Sequence, residues 1–259
     1  MNSNDHLLIK PSDAIAWSEC VRRVWLDNTG QFEQAEPEDA FEQLVVELGL
    51  GHEQNMLDSL RTQYDVHEAT SVEHTRQLMA QGVDVIYQAQ LKNEEEGFIG
   101  FPDFLIRNDN GEYQPADAKL SLHEDKKSIQ VQLGFYRRQL NTQLPAIVFL
   151  GDESTAEIGD EASAITNQFI TEMRALLADK TEPVVRYSHS KCRACTYYEH
   201  CKPQFEEKED LSLLYGVQGR AADALEKVGI ASILALAKSD PETIPDVPYL
   251  KGFEKKQRA

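Results

Sequence analysis

The stretch that decides the fold runs from Gly97 to Leu140 and reads GFIGFPDFLIRNDNGEYQPADAKLSLHEDKKSIQVQLGFYRRQL. Its pattern predicts a strand, a tight turn, a second strand and a helix. The turn falls at residues 108–111, where Asn-Gly is the strongest short-range hairpin signal. A hairpin brings Asp103 on the first strand beside the second strand. There, Asp117 and Lys119 point the same way, because residues two apart share one face of a strand.

The helix that follows, predicted over about residues 125–141, carries Gln132 and Tyr136 four residues apart and therefore on one face. Taken alone, these residues have plainer explanations, such as a tyrosine packed in the core or an Asp–Lys surface pair. A carboxylate on an apolar strand is nevertheless costly to bury unless it is paired. A divalent metal shared by Asp103 and Asp117 removes that cost, so the stretch predicts a metal-dependent phosphodiesterase site.

An upstream segment, residues 38–64, has a helical pattern that is interrupted at Gly49 and Gly51, which indicates two helices or one bent helix. His52 follows these glycines directly, and a neutral imidazole is a suitable ligand for Mn²⁺ and similar ions. Glu53 could equally be the acidic member of the site. The plainer interpretations are a surface or core histidine and an ordinary surface charge on a helix.

The composition is that of a soluble globular protein of 259 residues, with room for one large domain or for one domain and a small appendage. A net charge of −18 argues against binding nucleic acid by bulk electrostatics, and it also fits a simple solubility role. Basic residues concentrate in the segments 119–138 and 186–202. A nucleic-acid groove near the candidate site is therefore compatible with an acidic surface elsewhere. No apolar run approaches 18 residues, and the N-terminal residues MNSNDHLLIKPSD lack the basic-then-apolar layout of a secretory signal, so we expect a cytoplasmic protein without a membrane partner.

Four cysteines form a second pattern: Cys20 stands alone, while Cys192, Cys195 and Cys201 have the spacing Cys-x2-Cys-x5-Cys. In a cytosolic protein this clustering favours a metal or iron–sulfur site over disulfides. Thiolates suit structural Zn²⁺ as well as a cluster, and spacing alone does not decide between them. Cys20 falls within a single helix that the pattern predicts from about Ser12 to Leu26.

In combination, these motifs resemble the RecB-like branch of the PD-(D/E)XK nuclease superfamily, and specifically its iron–sulfur members, over about residues 11–205. Members of that group include the AddB nuclease domain and the CRISPR-associated iron–sulfur exonucleases. The resemblance rests on the order of the histidine, the Gly-x-Pro-Asp segment, Asp-x-Lys, Gln-x3-Tyr and the cysteine quartet. It implies that all four cysteines bind one [4Fe–4S] cluster, which joins the two ends of the nuclease domain.

The resemblance also implies a role for each matching position. His52, Asp103 and Asp117, with the Ala118 carbonyl, would bind Mg²⁺ or Mn²⁺. Lys119 would be the catalytic lysine. Gln132 and Tyr136 would contact DNA or support the site. The acidic residue before the lysine motif is Asp rather than the commoner Glu, which would alter a metal distance or preference.

The implied fold is α/β: a PD-(D/E)XK restriction-endonuclease-like core with a mixed central sheet flanked by helices, and an iron–sulfur-stapled helical layer. We expect a nuclease domain over residues 1–205 and a small helical module over residues 206–259, similar to a helix-hairpin-helix around Val228-Gly229-Ile230. This module would bind DNA backbone or would only cover the core. Family members with this ending often continue into a helicase or RNase H-like region, so the abrupt end at KGFEKKQRA would fit a fragment of a longer chain.

The function that follows from the resemblance is a divalent-metal-dependent DNA nuclease, an exonuclease that hydrolyses phosphodiester bonds at single-stranded DNA ends. Two alternatives remain open at this point. One is a non-catalytic iron–sulfur module that binds DNA or acts as a scaffold, although retaining the complete Asp-Asp-Lys set argues against it. The other is a nuclease acting on RNA, because phosphate chemistry alone does not read the 2′-hydroxyl.

Overall fold

The computed structural model describes residues 8–29, 40–179, 181–240, 242–245 and 247–249. Contacts divide these residues into two compact units, the first ending at Glu182 and the second beginning at Pro183. Residues 183–205, which the resemblance assigns to the nuclease domain, belong by their contacts to the second unit. Within the described residues, no helix combines the length and the apolar character that crossing a membrane requires.

The first unit is mixed α/β, as expected, and its centre is a six-stranded sheet with the order β1-β2-β5-β6-β7-β8. The β1–β2 and β6–β7 pairs are parallel, and the other neighbouring pairs are antiparallel. The six strands are β1 (Val66–Glu68), β2 (Val85–Tyr87), β5 (Phe104–Arg107), β6 (Tyr113–Ala118), β7 (Ala146–Phe149) and β8 (Thr155–Ile158). A separate antiparallel pair consists of β3 (Leu91–Asn93) and β4 (Phe98–Gly100).

Helices cover both faces of the sheet. The helices of the first unit are α1 (Ala14–Glu19), α2 (Val21–Thr29), α3 (Ala40–Arg61), α4 (Val72–Gln81), α5 (Lys127–Leu140) and α6 (Ser163–Ala178). Strand β7 shows the alternation that fixes the two faces: Ala146 and Val148 join the core with α1, α5 and α6, while Ile147 and Phe149 pack towards Leu57 of α3. Helix α3 is one continuous helix through both glycines.

The hairpin at residues 108–111 is confirmed: β5 and β6 are antiparallel neighbours joined by this turn. The Asn108 side chain accepts hydrogen bonds from the backbone N–H groups of Asn110 and Glu112, at 3.0 and 2.9 Å. Gly111 has φ of +85°, a conformation that glycine adopts without strain. The turn residues therefore encode this connection locally.

The single strand expected before the turn is wrong. Phe98–Gly100 pairs with β3 in the small sheet, and β5 begins only at Phe104. Asp103 lies in the connection between the two strands, one residue before β5. Its position is fixed by hydrogen bonds to its backbone and side chain, which a strand pattern does not reveal.

The single helix expected from Ser12 to Leu26 is also wrong. A 3₁₀ turn at Pro11–Asp13 leads into α1, and the chain then breaks at Cys20 before α2 begins. Cys20 has extended backbone angles, with φ of −161° and ψ of 116°. The residue types around it are ordinary helix formers, so propensity gave no sign of the break.

The second unit contains α7 (Tyr198–Glu207), α8 (Gly219–Lys227) and α9 (Ile233–Lys238). Helices α8 and α9 flank the turn at 228–230 and share a small core that includes Leu211, Ala222, Leu225 and Ile230. The helix, glycine turn and helix expected there are confirmed as structure, while binding of DNA by this module stays a prediction.

Candidate active site

Asp103 and Asp117 lie against each other, held by reciprocal hydrogen bonds. The backbone N–H of Asp103 donates to Oδ1 of Asp117 at 2.9 Å, and the backbone N–H of Ala118 donates to Oδ2 of Asp103 at 2.8 Å. Each carboxylate therefore accepts from the main chain of the segment that carries the other. Asp117 is fully buried, so the arrangement brings two acidic groups into one shielded place.

Lys119 completes this group, as the shared strand face predicts. Its Nζ lies 3.0 Å from Oδ2 of Asp117 and its side chain is partly buried. That buried Oδ2 accepts no aligned hydrogen bond, so the ion pair with Lys119 is the interaction that offsets the cost of burying it. Burial lowers the pKa of the Lys119 ammonium, but the charges of Asp117 and Asp103 outweigh burial and leave its pKa above the ordinary value. Lys119 is thus a fixed cation beside two carboxyl groups.

The two carboxyl groups cannot both carry a charge cheaply without a further cation. Burial, and after it the negative charge of Asp117, raise the pKa of Asp103 from 3.8 to about 8, although the charge of Lys119 acts in the opposite direction. At neutral pH this raised pKa favours the protonated form of Asp103 in the metal-free pair. A divalent cation is the kind of partner that would displace this proton, because it neutralises both carboxylates at once.

His52 reaches the same end of the sheet from α3. Its Nε2 lies 3.1 Å from the carbonyl oxygen of Phe149, and the backbone N–H of Lys119 donates to that same oxygen at 2.8 Å. A carbonyl oxygen only accepts, so this contact assigns the proton to Nε2 and leaves Nδ1 with a lone pair. Metal-binding histidines commonly donate their other ring N–H to a carbonyl in this way.

Glu53 is the site residue that sequence reasoning undervalued. Its Oε1 accepts hydrogen bonds from the Tyr87 hydroxyl at 2.9 Å and from Nε2 of Gln88 at 2.5 Å. The backbone N–H of Gln88 in turn donates to the carbonyl of Asp103 at 2.8 Å. Glu53 is therefore tied to the Asp103 segment through one residue. The sequence signal for Glu53 was its place beside His52. Its partner Gln88 has a positive φ of 52°, a backbone conformation that the sequence pattern does not reveal.

Gln132 and Tyr136 support the site from α5. Nε2 of Gln132 donates to the Tyr136 hydroxyl at 3.1 Å, and this hydroxyl donates to the carbonyl of Phe101 at 3.0 Å. Burial, with the charge of Asp117 second, raises the pKa of Tyr136 well above its ordinary value, so the hydroxyl keeps its proton and remains a donor. Gly100 permits this approach, since a Cβ there would lie 2.8 Å from the Tyr136 ring. Tyr136 thus fixes the backbone that leads to Asp103.

The residues present fit a divalent metal in their chemistry. Asp103 and Asp117 offer hard oxygen ligands, Oδ2 of Asp117 is buried without a hydrogen bond, and His52 has the tautomer of a ligand. Across the described ranges, however, no three His, Cys, Asp or Glu side chains already stand as a complete metal-binding group. The Ala118 N–H is used by Asp103, and the ligand role of the Ala118 carbonyl stays a prediction.

The four cysteines carry thiols rather than disulfides, and each is partly exposed. Cys20 belongs to the first unit, and the other three belong to the second. Cys192 opens a 3₁₀ turn, and its Sγ accepts a hydrogen bond from the backbone N–H of Ser188 at 3.3 Å. Such N–H···S bonds are typical around thiolates that bind iron or zinc. The assembly of all four into one site stays a prediction.

Comparisons with known proteins add little beyond this geometry. No protein-family profile and no curated protein matches the chain. A solved structure described as the crystal structure of SSO0001 is similar with a TM-score of 0.45 and 16% sequence identity, covering 78% of this chain and 89% of that chain. This likeness is too low to assign a family or a function.

Proposed function

We propose that this chain is a divalent-metal-dependent DNA nuclease of the RecB-like PD-(D/E)XK type, acting on single-stranded ends. The observation that carries the proposal is the interlocked pair of Asp103 and Asp117 with Lys119 at 3.0 Å from the buried carboxylate. Two adjacent acids and a lysine, with Asp117 fully buried and the other two partly buried, are expensive to keep for stability alone. This combination of charges suits metal-assisted hydrolysis of a phosphodiester.

Asp103, Asp117 and His52 would hold Mg²⁺ or Mn²⁺, with the Ala118 carbonyl as a further ligand. The bound ion would supply a polarised water and neutralise charge on the phosphate. Lys119 remains protonated, because both carboxylates favour its charged form. Its ammonium can therefore orient the attacking water or stabilise the negative charge that develops on the phosphate oxygens.

Tyr136 and Gln132 act through position rather than through chemistry. The Tyr136 hydroxyl fixes the Phe101 carbonyl, two residues from Asp103, and Gln132 fixes that hydroxyl. Glu53 fixes the other side of the same segment through Gln88. A site supported from both sides keeps its carboxylates in place for the metal, and small displacements of such groups are costly to catalysis.

The cysteines would hold a [4Fe–4S] cluster in this proposal, and the alternative is that they bind Zn²⁺. The N–H···S bond to Cys192 supports a thiolate at that position in either case. Purification without oxygen followed by a visible spectrum separates the two. A brown protein with a broad absorption at the blue end supports the cluster, and a colourless protein that contains zinc overturns it.

The cleavage test uses the full chain with end-labelled single-stranded DNA, duplex DNA and RNA, with Mg²⁺ or Mn²⁺. The variants Asp117→Ala and Lys119→Ala should lose cleavage while their far-ultraviolet spectra and bound cluster are kept. Lys208→Ala, at an exposed lysine of the second unit, is the matched control and should cleave normally. Cleavage that persists in both site variants would remove this site from the mechanism.

Two other results of the same assay correspond to the alternatives. A wild-type protein that binds DNA but cleaves no nucleic acid with either metal would identify a scaffolding module. Preferential cleavage of RNA would identify a ribonuclease built on the same metal chemistry. Both results overturn the DNA nuclease proposal.

A further inference from the structure

A column of aromatic rings runs from the core of the second unit to its surface. The buried ring of Tyr187 packs edge-to-face on Phe205, with 5.8 Å between centroids, and on His189 at 4.9 Å. The His189 ring then contacts Tyr215 at 6.2 Å. Tyr215 is 90% exposed. The column therefore has an anchored base and an outer ring that packing leaves almost entirely in water.

The exposure of Tyr215 has no explanation in the stability of the unit. An aromatic side chain stabilises a fold by the apolar area it removes from water, and a ring that is 90% exposed removes little. The contact with His189 instead restricts where the ring lies. An aromatic ring offered to solvent is the feature on which the bases of a nucleic acid stack.

The two segments that carry the outer rings, His189 and Tyr215, lack carboxylates in a chain that is strongly acidic, whereas Phe205 at the base of the column precedes Glu206 and Glu207. Residues 187–198 contain Lys191 and Arg193 and no carboxylate, and residues 211–222 contain Arg220 and no carboxylate. The whole chain has 44 acidic against 26 basic residues, so two acid-free segments meeting at one aromatic column form a local exception. Their charge complements an anionic partner rather than a cationic one.

We propose that Tyr215, supported by His189, is a base-stacking site for single-stranded nucleic acid. Unpaired bases expose the flat faces that stack on an aromatic ring, whereas the bases of a duplex already stack on each other. Lys191 and Arg193 supply the positive charge that the phosphates of such a strand require. This inference deepens the proposed function, because it names a place in the second unit that holds the single strand.

The binding test is independent of cleavage. The full chain carrying Lys119→Ala is mixed, without divalent metal, with fluorescently labelled oligodeoxythymidine, oligouridine or duplex DNA, and binding is followed by fluorescence anisotropy. Adding Tyr215→Ala should weaken binding of the single strand about tenfold, within the range of one lost base–aromatic stack. Adding Tyr215→Phe should retain binding, because phenylalanine keeps the ring.

Tyr64→Ala is the matched control, since Tyr64 is a partly exposed tyrosine of the first unit outside the column. Arg193→Ala should weaken binding and make it less dependent on salt, as expected for a lost phosphate contact. The oligouridine arm shows whether the site reads RNA as well as DNA, since stacking itself tolerates both.

Unchanged affinity in Tyr215→Ala, or equal affinity for duplex DNA with equal loss in that variant, would overturn the stacking site. A wild-type protein that binds single strands through Tyr215 but never cleaves them would refute the nuclease proposal and leave the stacking site standing. Cleavage that depends on Asp117 with strand affinity indifferent to Tyr215 would refute the stacking site alone.

Discussion

Replacing Asp103 by asparagine should make the metal-free protein more stable at high pH while it removes metal-dependent activity. Asparagine keeps an oxygen that can accept from the Ala118 N–H, as Oδ2 of Asp103 does at 2.8 Å. What the substitution removes is a negative charge beside the buried Asp117. Because burial and the charge of Asp117 raise the pKa of Asp103 to about 8, that charge is unfavourable in the folded state.

The sign of the pH dependence follows from this raised pKa. Below about pH 4 the carboxyl group is protonated in both the folded and the unfolded chain and contributes nothing. Between about pH 4 and pH 8 the unfolded chain loses the proton while the folded chain keeps it, so the free energy of unfolding falls as the pH rises. Above about pH 8 both states are ionised and the full penalty is present.

The size of the penalty can be bounded from the same shift. One pKa unit corresponds to about 1.4 kcal/mol, so a rise from 3.8 to about 8 sets an upper limit near 6 kcal/mol. Asp103 is not fully shielded from water, and solvent screening reduces the expected penalty to roughly 2–3 kcal/mol. As the pH rises, the free energy of unfolding of Asp103→Asn should therefore exceed that of the wild type by roughly 2–3 kcal/mol.

Urea unfolding of both proteins in EDTA, at about pH 5 and about pH 9, measures this difference directly. The comparison between proteins matters, because other groups of this acidic chain also titrate. Asp109→Asn, at an exposed residue of the hairpin turn, is the matched control and should follow the wild type. At the higher pH, Mn²⁺ should raise the free energy of unfolding of the wild type more than that of Asp103→Asn. Identical pH dependence in the wild type and Asp103→Asn would refute the reasoning.

Three further substitutions test how the structure supports the two units. Tyr136→Phe removes the hydrogen bond to the Phe101 carbonyl, and should lower the free energy of unfolding by about 1 kcal/mol and the cleavage rate by more than the loss of fold explains; an unchanged rate would contradict its positioning role. Gly100→Ala places a Cβ 2.8 Å from the Tyr136 ring and should destabilise the first unit by about 1–3 kcal/mol in thermal unfolding, and a neutral result would show that the ring can shift. Arg186→Ala leaves the buried Asp210 without its cation and should lower the free energy of unfolding by about 3 kcal/mol, which is seen as a lower melting temperature. An equal melting temperature would show that the ion pair is dispensable.

The elements that local sequence determines were predicted well. The hairpin turn depends on Asn108 and Gly111, whose side-chain and backbone preferences act within five residues. The pattern of residues 71–81 likewise predicts a helix capped by Ser71, and α4 begins there, with the Ser71 side chain accepting from the backbone N–H of His74. Helix α5, expected over about 125–141, spans Lys127–Leu140. In each case the deciding interactions lie close together along the chain.

The features that sequence missed depend on distant partners. The connection that carries Asp103 is fixed by Asp117 and by the hydroxyl of Tyr136, neither of which is local. The break at Cys20 interrupts residues that would otherwise favour a helix. Glu53 gains its place from Tyr87 and Gln88, on a different element. No periodicity of hydrophobic residues contains such contacts, because they form only when the chain has folded.

The reciprocal hydrogen bonds between Asp103 and Asp117 have a consequence for how the chain can vary. Each aspartate accepts from the main chain of the other's segment, so a change at one position loosens the backbone that presents the second. Single substitutions at either residue should then cost nearly as much activity as the double substitution. Random mutagenesis under selection for activity would find no route that alters these two positions one after the other, and they would persist or be lost together.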